Sequence, residues 1–294
     1  MSQTLKVVII GGGVAGCSAA IFLHELLPKV SIEIYEAYAT APESSVGGGL
    51  GLASNGLCTL ALVAPDAADD IYARSKKCAY YEMHAASSRS GSVLGRFPAG
   101  GEKPGRKYGT VLTRRWTIHD ALLNAMQRRG LNVVYGRRAV EIIENDKRVE
   151  VVFEDGTAAW ADLLIGADGI HSIVRRVVAP SAASVFSGLI GLGGFVPRTK
   201  LDRALDEEMF PLCPGQAEQK GAIMVLGPLG FFGIALVDEL SREQGGELMW
   251  WSTFETEEKT REEWKKISAE DMKSELLKRH GNWSVFCSCR SLSL

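Results

Sequence analysis

The chain lacks most of the devices that hold small or extracellular proteins together. Its 294 residues include only six cysteines, none in a CxxC pair and none with a histidine at zinc-ligand spacing. That excludes a zinc ribbon or finger, and no metal site is expected, the CxC of Cys287 and Cys289 included. No apolar run reaches the ~18–20 residues needed to span a bilayer, and the opening MSQTLKVVII enters an apolar segment without a leader layout. Excess charge of one sign is missing too. The 33 Lys and Arg against 35 Asp and Glu leave a net charge of −2, which excludes a nucleic-acid partner bound through charge and a charged disordered tail. What is present is ordinary: 46% apolar and 23% charged residues. A chain of this length buries roughly three quarters of its unfolded surface without staples. At roughly 150 residues per domain it has room for about two domains. The expectation is a cytoplasmic protein with no membrane segment.

Lys6 to Ile10 is a short apolar run, the pattern of a strand buried on both faces of a parallel sheet. Three glycines follow, then VAGCSAAIFLHELL reads as a helix that Pro28 ends, and Val30 to Tyr35 reads as a second strand. Strand, glycine turn, helix and strand in this order make a βαβ unit. Residues 40–56 read as a loop, Leu57 to Val63 as helical, and Cys78 to Val93 as a source of strands. Thr117 to Arg129 carries a helical apolar stripe at Ile118, Leu122 and Met126. Asn132–Gly136 and Val149–Phe153 read as strands, and the Asp155-Gly156 turn leads into a strand over Ala158–Ile165. Near residue 180 the texture changes to short aromatic-rich runs at Ala222–Leu226, Phe231–Val237 and Leu248–Phe254, as in an antiparallel sheet. Thr256 to Arg279 reads as a charged helix.

Gly11, Gly13 and Gly16 form GxGxxG between the first strand and its helix. The first glycine permits the tight turn, the second lets backbone approach a pyrophosphate, and the third lets helix and strand pack closely. The helix N-terminus supplies unpaired N–H groups and the positive end of a dipole. Glu36, twenty residues beyond Gly16, ends the second strand, where a carboxylate can accept bonds from a ribose diol. This unit alone does not separate NAD from FAD.

Two further segments carry a resemblance. Gly166-Ala167-Asp168-Gly169-Ile170-His171-Ser172 with Arg175 resembles the DG motif of the group A flavoprotein monooxygenases, the para-hydroxybenzoate hydroxylase-like family. Arg115 with Ile118 and Leu122 is similar to that family's RxxLxxxL segment, and the apolar stripe favours Arg115 over Arg114 for the register. Gly47 to Leu52, with Asn55, resembles the family's glycine loop over the cofactor, which adds Gly49 to the candidates. The resemblance implies an α/β fold: an FAD-binding Rossmann-like domain over 1–180, with an inserted segment at about 75–108, and a mainly antiparallel-β substrate domain with a following helix over 181–283. In such enzymes the DG segment serves both FAD and NAD(P)H. NAD(P)H reduces the flavin, and one atom of O2 goes to a small, aromatic or otherwise electron-rich substrate while the other leaves as water. The implied cofactor-binding residues are Gly11, Gly13, Gly16, Glu36, Gly49, Arg115, Asp168 and Gly169. No catalytic base is singled out.

The family's later GD motif has no counterpart, since no Gly-Asp dipeptide occurs, and residues 284–294 form an atypical tail. The expectation is a chain cut short before the C-terminal part of the family fold. The alternative it raises is a flavin-free remnant without activity. His119 and His171 are expected as structural or cofactor-edge groups rather than bases. Of Trp250 and Trp251 at most one can line a cavity, because adjacent strand residues face opposite sides. Arg261 to Lys266 is expected as a solvated helix face.

Overall fold

The computed structural model describes residues 4–41, 47–86, 93–100, 107–201, 203, 220–240 and 243–283. Cys213, Cys287, Cys289 and the tail 284–294 lie outside the described residues. In chain order the strands are β1 (Leu5–Ile10), β2 (Val30–Tyr35), β3 (Gly49–Leu52), β4 (Lys76–Cys78), β5 (Tyr80–Ala85), β6 (Val93–Pro98), β7 (Thr110–Arg114) and β8 (Val133–Val134). They continue with β9 (Ala139–Asn145), β10 (Arg148–Phe153), β11 (Ala158–Ala161), β12 (Leu163–Gly166), β13 (Leu189–Pro197), β14 (Lys220–Gly227), β15 (Gly230–Leu236) and β16 (Glu247–Glu255). The helices are α1 (Val14–Leu26), α2 (Ser54–Ala61), α3 (Pro65–Arg74), α4 (Arg115–Arg128), α5 (Ile173–Val178), α6 (Arg261–Lys265) and α7 (Ala269–His280). The chain divides into two compact units, one of residues 1–47, 58–73 and 115–185, the other of 48–57, 74–114 and 186–294.

The first unit is built on a parallel sheet in the order β12-β1-β2-β8. Val7, Val8 and Ile9 of β1 are fully buried, as a strand covered on both faces requires. Val8 and Ile10 pack with Val151, Phe153 and Ala161 of a small antiparallel sheet, β11-β10-β9. Helices α1 and α4 pack together, and the stripe Ile118, Leu122 and Met126 is buried. Arg129 ties α1 to α3 by bonding Glu25 and Asp66.

Sequence reading and structure part at Asp162. The expected strand over Ala158–Ile165 is two strands in two sheets: β11 runs antiparallel to β10, and β12 runs parallel to β1. Asp162 makes the switch, because its carboxylate accepts from the Lys6 amide at 2.8 Å and its own amide donates to the Lys6 carbonyl at 2.9 Å. The chain thereby leaves one sheet and joins the other within a single residue.

The second unit holds a six-stranded sheet, β13-β16-β15-β14-β5-β6, and a three-stranded one, β3-β7-β4. The larger sheet is antiparallel except where β14 runs parallel to β5. One face packs Phe232, Ile234, Leu248 and Trp250 with Trp283, which follows α7. The opposite face carries Met249, Ala235 and Ala222 with Phe195, Met224 and Trp251. The adjacent tryptophans therefore lie on opposite faces.

Two expectations are corrected in this unit. Residues 40–56 are not all loop: Gly49–Leu52 forms β3 against β7, and α2 begins at Ser54, whose hydroxyl donates to the Tyr108 carbonyl at 2.7 Å. The helix expected over Thr256–Arg279 is two helices. Thr260 and Glu263 form a capping box at the start of α6, and the Ser268 hydroxyl accepts from the Asp271 amide at 3.0 Å to start α7 afresh. Among the described residues no helix is long and apolar enough to cross a membrane, and no three His, Cys, Asp or Glu side chains gather as a metal site.

Candidate functional site: a glycine loop and a DG turn

The glycines after β1 divide their work. Gly11 has φ +106°, and a Cβ there would fall 2.3 Å from the Ala167 carbonyl oxygen, so the loop lies directly against the DG turn. A Cβ on Gly16 would fall 1.8 Å from the Gly11 carbonyl oxygen, so the first turn of α1 closes onto the loop only with glycine there. Gly13 differs. A Cβ there would meet nothing nearer than the Arg115 guanidinium at 3.5 Å, which leaves room above its backbone.

Gly12, between the motif positions, is the loop's anchor. Its amide donates to Glu36 Oε2 at 2.8 Å, and its carbonyl accepts from His119 Nε2 at 2.7 Å and from the Cys17 thiol at 3.2 Å. A carbonyl only accepts, so His119 carries its proton on Nε2. Burial, with the Glu36 charge adding to it, pushes the Cys17 thiol up to about 12, so this sulfur is an inert packing group. Sequence reasoning missed Gly12 and Cys17 as site-shaping residues. The one available signal was the glycine run itself, whose middle member has no role in GxGxxG. His119, expected as a structural or cofactor-edge group, is structural.

With this peptide fixed, α1 presents an open N-terminus. Gly13 caps it in extended conformation without a side-chain bond, and no acidic residue stands in the first turn. Arg115, the first residue of α4, lies with its guanidinium beside Gly13 and its aliphatic stem against Gly47. Helix dipole and guanidinium thus put two positive features at one place, the arrangement that holds a phosphate or pyrophosphate. Glu36 is 7% exposed, and its second oxygen accepts from the Tyr38 amide at 2.9 Å.

The DG turn is a capping structure. Asp168 accepts from the Ser172 hydroxyl at 2.6 Å and from the Ile173 amide at 2.7 Å, so both of its oxygens face the start of α5. Ser172 in turn accepts from the Arg175 amide, and the Arg175 guanidinium donates to the Ile170 carbonyl at 2.5 Å. Gly169 turns the chain with φ +76°. Asp168 therefore shapes the turn and Gly169 exposes its backbone. Next to it, Ile170, His171, Arg175, Arg176, Pro180 and Ser184 line a cleft of about 270 Å³ with no acidic wall.

The first unit thus brings together Gly11, Gly13, Gly16, Glu36, Arg115, Asp168 and Gly169. Gly49 belongs to the second unit, where a Cβ would collide with Met249 Sδ at 2.2 Å. Its lack of a side chain is explained there by packing on β16.

The FAD binding domain family matches residues 98–292. That match runs past Trp283, where the resemblance read from motifs stops. The chain is 33% identical to 6-methylsalicylate 1-monooxygenase of Aspergillus terreus, over 70% of this chain and 47% of that protein. It is 31% identical to 3-amino-4-hydroxybenzoate 2-monooxygenase of Streptomyces cremeus, over 74% of this chain and 53% of that one. It therefore spans about half the length of these curated relatives. Among solved structures, Klebsiella pneumoniae HpxO complexed with FAD and uric acid superposes with a TM-score of 0.73 at 20% identity, over 99% of this chain and 66% of the other.

Proposed function

The chain belongs to the FAD binding domain family, within the group A flavoprotein monooxygenases, and from that membership we propose that it holds FAD on its first unit. With NAD(P)H and O2 it hydroxylates or epoxidises a small aromatic or secondary-metabolite molecule. The observation that carries the reading is the uncapped N-terminus of α1 beside Arg115, with the open space at Gly13. A dinucleotide pyrophosphate needs such a place.

Bound FAD supplies the redox chemistry and the activation of O2. This chain's own residues bind and orient. First-turn amides of α1 and the Arg115 guanidinium take the pyrophosphate charge. Glu36, at the end of β2, exchanges an oxygen from the loop amides to a ribose diol. The backbone at Gly169 meets the cofactor on the side of the DG turn, which Asp168 and Ser172 keep folded. The cleft that Arg175 and Arg176 make cationic suits an anionic group of the nicotinamide coenzyme. No side chain is assigned as a base. Names of the relatives support an aromatic substrate, since both are monooxygenases of substituted benzoates.

The test is an absorbance spectrum of the purified 294-residue protein after FAD addition and gel filtration. Retained flavin in about one-to-one ratio, with NAD(P)H oxidised in the presence of a hydroxybenzoate, is the expected result. A folded protein that retains no flavin overturns the reading in favour of a flavin-free remnant.

A further inference from the structure

The second unit carries a half-buried aromatic group, packed on the core of Cys78, Leu112, Ala235 and Met249, that the cofactor site does not use. Trp251 of β16 lies on the sheet face opposite α7. Its ring rests directly on β15, where a Cβ on Gly233 would fall 2.1 Å from Trp251 Cζ2. Gly233 thus clears the seat on which the indole lies flat. Phe231 stands beside it, with ring centroids 6.0 Å apart and tilted by 45°. Met249, Met224 and Phe195 continue the same face. Trp250 and Trp251 are both half-buried, Trp250 on the other face in a parallel stack with Phe232.

A cation borders this floor. Arg114 of β7 lies opposite Gly49 in the β3–β7 ladder, and Gly49 itself touches Met249. The Arg114 guanidinium lies 4.3 Å over the Phe195 ring. Phe195 pairs directly with Met249 and so is a diagonal neighbour of Trp251, a relation of about 7–8 Å in an antiparallel sheet. Glu247 takes Nη2 of Arg114, and the half-buried Asp238 carboxylate also acts on this guanidinium through its charge. Nε is buried without an acceptor among the described residues, Nη1 has none there either, and 36% of the side chain is exposed. A flat ring with an acidic substituent matches both parts: indole under the ring, guanidinium at the acid.

We propose that Trp251 is the stacking platform for the substrate's aromatic ring and that Arg114 selects substrates bearing a carboxylate. The substrate role rests on the monooxygenase reading above; the binding itself does not require flavin. Trp251 and Arg114 are specificity residues, since neither moves a proton or an electron.

The test is calorimetric titration of the purified 294-residue protein with 2-hydroxybenzoate and with its uncharged amide, alongside flavin retention. The wild-type protein is expected to bind the acid more tightly than the amide. Trp251→Ala should weaken both by about tenfold, the scale of a lost aromatic pair, and Trp251→Phe should restore most of that loss. Arg114→Gln should weaken the acid by about ten- to a hundredfold and leave the amide unchanged. Flavin retention should be the same in all variants. Equal affinity of the wild-type protein for acid and amide, or a Trp251→Phe protein that is folded yet binds no better than Trp251→Ala, overturns the proposal. Aromatic binding with the expected pattern in a protein that retains no flavin upholds the platform and removes the monooxygenase reading. Flavin retention without aromatic binding does the reverse.

Discussion

Three glycines of one motif, identical in chemistry, are predicted to respond differently to the same added methyl group. At Gly16 the new Cβ would fall 1.8 Å from a backbone oxygen, a collision no rotamer relieves. Gly16→Ala should therefore destabilise the fold by at least the cost of overpacking, on the order of 1–3 kcal/mol. At Gly13 the nearest atom would be the end of a flexible arginine at 3.5 Å. Gly13→Ala should leave the stability of the flavin-free protein within about 0.5 kcal/mol, yet fill the space that the pyrophosphate backbone contact requires. The measurements are thermal midpoints without ligand and FAD dissociation constants for both variants. Equal loss of stability in the two would refute the division of labour between these positions. Gly11, at φ +106° and 2.3 Å from Ala167 oxygen, belongs with Gly16.

Elements with a local cause were legible in the sequence; those defined by a distant partner were not. β1, α1, β2 and the stripe of α4 follow from runs of adjacent residues, and the structure keeps their places. The glycine strand β3 has no side-chain pattern and exists because β7 pairs with it. β9, missed entirely, is an edge strand with mostly exposed residues, so its alternation encodes little. α3 begins on Pro65 at its first turn, a start signal that went unread. In the site, GxGxxG and Glu36 were readable, but the pinning of Gly12 by His119 spans 107 positions and only folding reveals it. Helix α7 supplies a prediction of the same non-local kind. His280, its last residue, is fully buried, shares a hydrogen bond of 2.7 Å with Ser252 on β16, and meets Trp283 edge-on at 4.3 Å. Burial, and then the charge of Arg279, lower its pKa from 6.5 to about 4. The folded state thus disfavours the proton that the unfolded chain accepts below 6.5. The stabilisation is complete above that pH and is lost as pH falls toward about 4. At about 1.4 kcal/mol per pKa unit this shift sets an upper bound of about 3.5 kcal/mol on the loss. Thermal midpoints between pH 7 and 4 should fall more steeply for the wild-type protein than for His280→Asn. Parallel slopes would mean that α7 holds the sheet without this histidine's charge state mattering.

At the scale of the whole molecule, net charge works against the proposed cofactor. The chain carries −2 overall, and a dinucleotide is an anion, so attraction must be local. The fold concentrates it: α1 starts without an acidic residue, Arg115 lies beside that start, and Arg175 and Arg176 line a cleft without a carboxylate. A field of so short a range has a recognisable signature. Charges exposed to solvent are screened over about 10 Å at 0.1 M salt, so FAD affinity should fall as salt rises. The same binding should stabilise the fold, since a ligand that binds only the native state at a hundred times its dissociation constant adds about 2.7 kcal/mol. FAD should therefore raise the thermal midpoint by several degrees at low salt and by less at high salt. Riboflavin, which has the ring but no phosphate, should leave it unchanged, and ADP, which has the phosphates but no flavin, should reproduce part of the shift. A riboflavin shift as large as that of FAD would place the affinity in the flavin ring and remove the glycine loop, Arg115 and Glu36 from the centre of binding.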